Sequence, residues 1–210
     1  KSKYQDSDTE ILFRAGAIIR DGKDYAFNNA GYLFFATNPQ RLMPWTYIRL
    51  LRYEVDSDTG NVPSTISFDR KFEGSLPQQV RSIRTFLRDS GFFKTFQTRN
   101  PEGGFVDDPE FPELAIDEAI VNAVAHRDYA VQFPIKCVHY KDAFIVENSG
   151  RIRQLDHEVP NEFTLDAIEL DSMPPNSKII EWLKIMRDEQ GAAFVKAWGE
   201  GTKKMRDEMA

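Results

Sequence analysis

Three polar residues stand four apart in an otherwise apolar stretch: Glu118, Asn122 and His126 in EAIVNAVAHRDY. Their types suit work on a charged ligand. A carboxylate can take a proton, an amide oxygen can hold a hard cation, and an imidazole can donate or accept. Helical positions four apart advance about 400°, so each step drifts by only about 40°. The three therefore form one stripe, tilted across a face. From Leu114 to Ala125 the remaining residues are mostly Ala, Ile, Leu and Val on nearly all sides, which predicts a helix covered on most of its circumference. A carboxylate in that setting needs a partner. Either the stripe packs on other polar groups as a satisfied network, or it lines a wet cavity. Its length, and the His-Arg-Asp-Tyr that ends it, favour the cavity.

Two further stretches have chemical potential. WGEGT at Trp198–Thr202 precedes KKMRDEM. Two glycines one residue apart before a helix N-terminus offer backbone N–H groups and a positive dipole end to a phosphate. The same pair also serves to end a preceding helix. ENSGR at Glu147–Arg151 follows the apolar run DAFIV. Such a strand end is commonly a turn. It can also present Asn148 as a hydrogen-bond partner, with Gly150 allowing close backbone approach to a ligand. The histidines, His126, His139 and His157, have no tight metal-ligand spacing. Cys137 and His139 share one strand face at i, i+2, and read as packing rather than as a nucleophile and its base.

The elements that must position these residues are legible in outline. DTEILFRAGAII suggests a short helix ending near Ala15. FNNAGYLFFATNP has an Asn cap, a helical apolar run and a Pro stop. WTYIRLLRYEV alternates as a strand does, and VPSTISFDRKFEG reads as a second extended piece. SLPQQVRSIRTFLRDSGFF places Leu76, Val80, Ile83 and Phe86/Leu87 at helical spacing after a Ser75 cap. Residues 99–111, RNPEGGFVDDPEF, read as a loop and an internal boundary. Beyond it come a helix at 112–127, strands near 134–140 and 143–148, a loop over 149–175, a helix at 176–189 and a last helix after the Gly turn. A helix laid on a hairpin-like sheet predicts an α+β fold: a two-layer sandwich with a mixed sheet packed on helices.

Composition sets the bounds. The chain has 210 residues, 41% hydrophobic and 29% charged, with a net charge of −6. Its basic clusters are short and interleaved with acids or apolar residues, which argues against a phosphate-gripping nucleic-acid face. No run is long enough to span a bilayer as a helix, and the N-terminus KSKYQDSDTE lacks the apolar core of a signal peptide. The single cysteine excludes an intrachain disulfide and fits a cytoplasmic setting. Both ends read as interrupted, as expected of a fragment.

Taken in order, E-x-x-x-N on a helix, two strands, N-x-G, a long loop and G-x-G before a helix, the chain resembles the Bergerat-fold ATPase superfamily of gyrase, histidine kinases and mismatch-repair ATPases. More closely it is similar to a divergent prokaryotic branch, described as like the C-terminal part of an ATP-dependent DNA helicase. Members usually carry an Alba-type, Schlafen-like domain assigned to DNA binding, and many are labelled transcriptional regulators. FNNAGYLFFATNPQRLMPWTYIRLLRYE, FDRKFEGSLPQQV, EAIVNAVAHRDYA, PPNSKIIEWL and AWGEGTKKM carry the likeness.

The resemblance implies an N-terminal lead-in over 1–106 and a nucleotide-binding core over 107–210, with a lid at about 152–176. It implies ATP and Mg²⁺ as cofactors. Glu118 would be the general base, and Asn122 the Mg²⁺ ligand. His126 and Arg127 would face the phosphates, Asn148 and Gly150 the adenine, and Gly199, Gly201 and Thr202 the phosphate loop. Three departures stand out. Asn148 replaces the family's Asp, so its acceptor lacks charge. Glu200 sits inside the phosphate loop, and the lid is acidic with no Gly run. The implied function is an ATP-binding module, hydrolysing slowly or not at all, in a larger DNA-linked regulator or defence protein, with DNA bound through flanking domains. The rival is a degenerate module of the same fold that dimerises or docks partners without turnover.

Overall fold

In the computed structural model the described residues are 7–58, 66–101, 103–151, 162–164, 175–187, 191 and 193. Within them no helix is long and apolar enough to cross a membrane. The chain starts with α1 (Asp8–Arg14), a hairpin of β1 (Ile18–Asp21) and β2 (Asp24–Phe27), and α2 (Asn29–Phe35). Then come β3 (Ile48–Tyr53), β4 (Ile66–Phe72), α3 (Leu76–Asp89), β5 (Thr95–Arg99) and β6 (Phe105–Pro109). The last elements are α4 (Glu113–His126), β7 (Ile135–His139), β8 (Phe144–Glu147) and α5 (Ser177–Ile185).

Local chemistry sets several of these boundaries. Asn28 caps α2, its side-chain oxygen accepting the Gly31 N–H at 2.8 Å. Ser75 and Gln78 form a reciprocal capping box at the start of α3. Both helices begin where their caps predict.

The central sheet runs β4-β3-β7-β8. β3 is antiparallel to β4 and parallel to β7, and β7 is antiparallel to β8, so the sheet is mixed. One face carries Ile48, Leu50, Phe72, Ile135 and Cys137. It buries them with Leu33 and Phe34 of α2, Val80 and Ile83 of α3, Ile120 and Val124 of α4, and Ile179 and Leu183 of α5. On the other face Leu51, Tyr53 and Val138 form a small separate cluster. The fold is thus an α+β sandwich, with helices packed on a mixed sheet.

Residues 99–111 differ from expectation. They are no loop boundary: β6 pairs with β5 from Thr95↔Pro109 to Arg99↔Phe105, making a two-stranded hairpin. A division at 106/107 falls inside β6. The strands on either side of it share one sheet and one core.

Candidate functional site

Helix α4 places the polar stripe. Its apolar residues from Ala115 to Ala125 are mostly buried, while Glu118, Asn122 and His126 are half-buried. Among the described residues the Asn122 amide has no hydrogen-bond partner. The His126 Nδ1 is buried without one, and burial holds this imidazole below its ordinary pKa. The helix is fixed from its flank by an Arg84–Asp117 ion pair, 3.0 Å, from α3.

The C-terminal end of α4 is an assembly point. The ENSG turn closes on it. The Asn148 side-chain oxygen accepts the Gly150 N–H, and Ser149 Oγ donates to the Asp128 carbonyl at 2.9 Å. A Cβ at Gly150 would overlap the His126 carbonyl oxygen, so only glycine lets this turn lie on the helix end. Asn176 donates from Nδ2 to the carbonyls of Ala125, 2.9 Å, and Arg127, 2.7 Å. Tyr129 donates its hydroxyl to the Val124 carbonyl at 3.0 Å. Side chains thus satisfy carbonyls that the helix end leaves open.

One expectation for this region is corrected. Arg127 does not face a ligand. It is 1% exposed, donating from Nη2 to the carbonyls of Trp45, 2.8 Å, and Phe133, 2.7 Å, with its guanidinium over the Tyr129 ring. Burial lowers its pKa. Its place is a strut between the α4 exit and two distant backbone segments. The close approach that Gly150 permits in this structure is to the helix end. Asn148 keeps one lone pair of its oxygen and its amide N–H groups for other partners. Gly199, Gly201, Thr202, Glu200, His157 and most of the 152–176 segment lie outside the described residues.

Sequence reasoning missed a second polar cluster. On the helix-facing side of the sheet, Arg52 Nε donates to His139 Nδ1 at 3.0 Å, and His139 Nε2 lies 3.2 Å from Glu110 Oε1. An acceptor Nδ1 fixes the neutral tautomer with the proton on Nε2. The rings of Phe92, Phe93 and Phe111 enclose the imidazole. The available signal was a histidine at an inward position of a strand whose other inward residues, Ile135 and Cys137, are apolar. Cys137, two residues earlier, is fully buried, and burial pushes its thiol up to about 12. A buried thiol of that kind packs and does not attack. Among the described residues no three His, Cys, Asp or Glu side chains gather as a metal site.

No protein-family model matches the sequence, and no curated protein matches it. The chain is similar in fold to the crystal structure of the DIP2311 protein from Corynebacterium diphtheriae. The TM-score is 0.66 at 21% identity, over 97% of this chain and 36% of that one. The chain thus spans about a third of that protein's length, and the likeness defines the fold alone.

Proposed function

We propose that the chain is a Bergerat-type ATP-binding module of a larger DNA-linked regulator, coupling nucleotide state to the arrangement of its flanking domains. The observation that carries this reading is the half-buried line Glu118–Asn122–His126 on a helix most of whose other residues are buried. The spacing matches the family pattern, and the ENSG turn is held against the end of the same helix. The donor types fit Mg²⁺: a hard cation takes oxygen ligands, and the Asn122 amide oxygen is unengaged among the described residues. Asn122 would hold the ion, which would neutralise phosphate charge. Glu118 would take the proton of an attacking water. Asn148 would hydrogen-bond the base through its amide. His126, neutral under its burial, would act as a hydrogen-bonding group rather than a charge.

Calorimetry with ATP tests this directly, with and without Mg²⁺, on the chain and on Asn122→Ala. Binding should require Mg²⁺ and weaken at least about tenfold in the variant, about 1.4 kcal/mol. Absence of binding by the folded protein would remove the reading.

A second reading, an interaction module that keeps the fold without turnover, is favoured by Arg127. Its side chain is buried, with Nη2 donating to two backbone carbonyls, which places it poorly for a phosphate.

A further inference from the structure

The β5–β6 hairpin is unlike the rest of the fold. Every residue of both strands is exposed, including Phe96 at 51%, Phe105 at 72% and Val106 at 49%. Its strands join no other sheet among the described residues. A two-stranded hairpin with both faces in water is marginal by itself. At its base Glu110 N–H donates to the Lys94 carbonyl at 2.9 Å and the Lys94 N–H to Glu110 Oε2 at 2.9 Å, while Glu110 Oε1, 3.2 Å from His139 Nε2, ties the hairpin to the central sheet.

The two free edges are not equivalent. Bonded and non-bonded pairs alternate along an antiparallel ladder. The Lys94–Glu110 bond at the base and the Asn100 N–H to Gly104 carbonyl bond at the tip fix the phase. With the register, Phe96–Asp108 and Thr98–Val106 are then the bonded pairs. Thr95, Gln97 and Arg99 turn their N–H and C=O groups outward on β5, and Phe105, Asp107 and Pro109 do so on β6. The β6 edge is blunted: Pro109 has no N–H, and a second copy pairing about Asp107 would set two carboxylates face to face. The β5 edge is open, with a donor and an acceptor at each outward residue.

The β5 edge is also self-complementary. Pairing two copies antiparallel about Gln97 sets Gln97 against Gln97, so each amide can donate to the other. It sets Thr95 against Arg99 and Phe96 against Thr98, with no like charges opposed. The two Phe96 rings become diagonal neighbours, within aromatic reach. We infer that β5 is a dimerisation edge, at which two copies of this chain join their hairpins into one four-stranded antiparallel sheet, β6-β5-β5-β6. The inference is independent of nucleotide binding.

The test is sedimentation equilibrium of the chain and of Gln97→Lys over a wide concentration range. Lysine at 97 faces Asp107 within its own hairpin, where the glutamine already reaches Asp107 Oδ1 at 3.3 Å. It thus suits the monomer but opposes two like charges on the dimer axis. The native chain should dimerise, and the variant's dissociation constant should rise at least about tenfold. Gln97→Cys should in addition form a covalent dimer on mild oxidation, while Asp107→Cys, on the blunted edge, should not. A native chain that stays monomeric at all concentrations overturns the inference. So does a dimer that Gln97→Lys leaves intact, or crosslinking equal at both positions. A partner peptide as the true occupant of β5 would appear as the first of these outcomes.

Discussion

Arg127 shows how a residue can follow a site pattern yet work elsewhere. It comes directly after the stripe, where a positive charge would suit a phosphate. Its side chain instead bonds two carbonyls, of Trp45 and Phe133, and lies over Tyr129. A buried guanidinium is costly unless its hydrogen bonds hold something in place. Here they tie the exit of α4 to the segments that lead into β3 and β7. The Tyr129 carbonyl takes the Trp45 Nε1–H at 3.1 Å, which ties the same segments again. Arg127→Ala should therefore lower stability by about 2–4 kcal/mol, through two orphaned carbonyls and a lost ring contact. Urea unfolding reads this out. A variant as stable as the native chain but weak for ATP would instead return Arg127 to the ligand side.

At the scale of elements, the end of α4 depends on Asn176, the residue before α5. An Asn directly before a helix commonly caps it. The structure has no side-chain cap at that position, because the amide donates across to the carbonyls of Ala125 and Arg127. Asn176→Ala should cost about 1–3 kcal/mol, with the urea midpoint falling and the slope unchanged. No shift would mean that water serves those carbonyls equally well. Local signals explain which elements could be read in advance. α2 and α3 announce themselves through Asn28 and the Ser75–Gln78 pair, each acting within three residues. β7 and β8 show in their apolar runs. β5 and β6 did not, since strands exposed on both faces have no inside–outside alternation, and Asp107, Asp108 and Pro109 are poor strand formers. The tip glycines Gly103 and Gly104, both at positive φ, looked like loop because they are one. The stripe on α4 was legible because helical spacing is local. The roles of Arg127, Asn176 and Gly150 were not, because each depends on a backbone group that only the tertiary fold brings near.

Across the whole molecule, one buried network joins three separate parts of the chain. Arg52 stands on β3, His139 on β7, and Glu110 at the base of the β5–β6 hairpin. Two effects compete at His139. The Glu110 carboxylate, with Glu54 farther off, favours the charged imidazole. Burial disfavours it, assisted by Arg52, and burial is the largest cause, so the pKa falls below its ordinary value. The geometry agrees: a proton on Nδ1 would meet the Arg52 N–H already directed there. His126 is lowered by burial as well. The sign for stability follows. The unfolded chain takes up these protons near pH 6.5, while the folded chain resists them to lower pH. Between those limits the unfolded state binds more protons, so stability falls as pH falls. The Arg49–Asp69 pair holds its carboxylate low, so its stabilisation persists through this window and is lost only at more acidic pH. Urea unfolding at about pH 8 and about pH 5 should show the native chain losing stability on acidification. His139→Gln should lose less over the same interval, with His126 contributing to the part that remains. An unchanged pH dependence in the variant would mean that His139 takes its proton in the folded chain as readily as in the unfolded one, and that the Arg52–His139 bond does not set its charge.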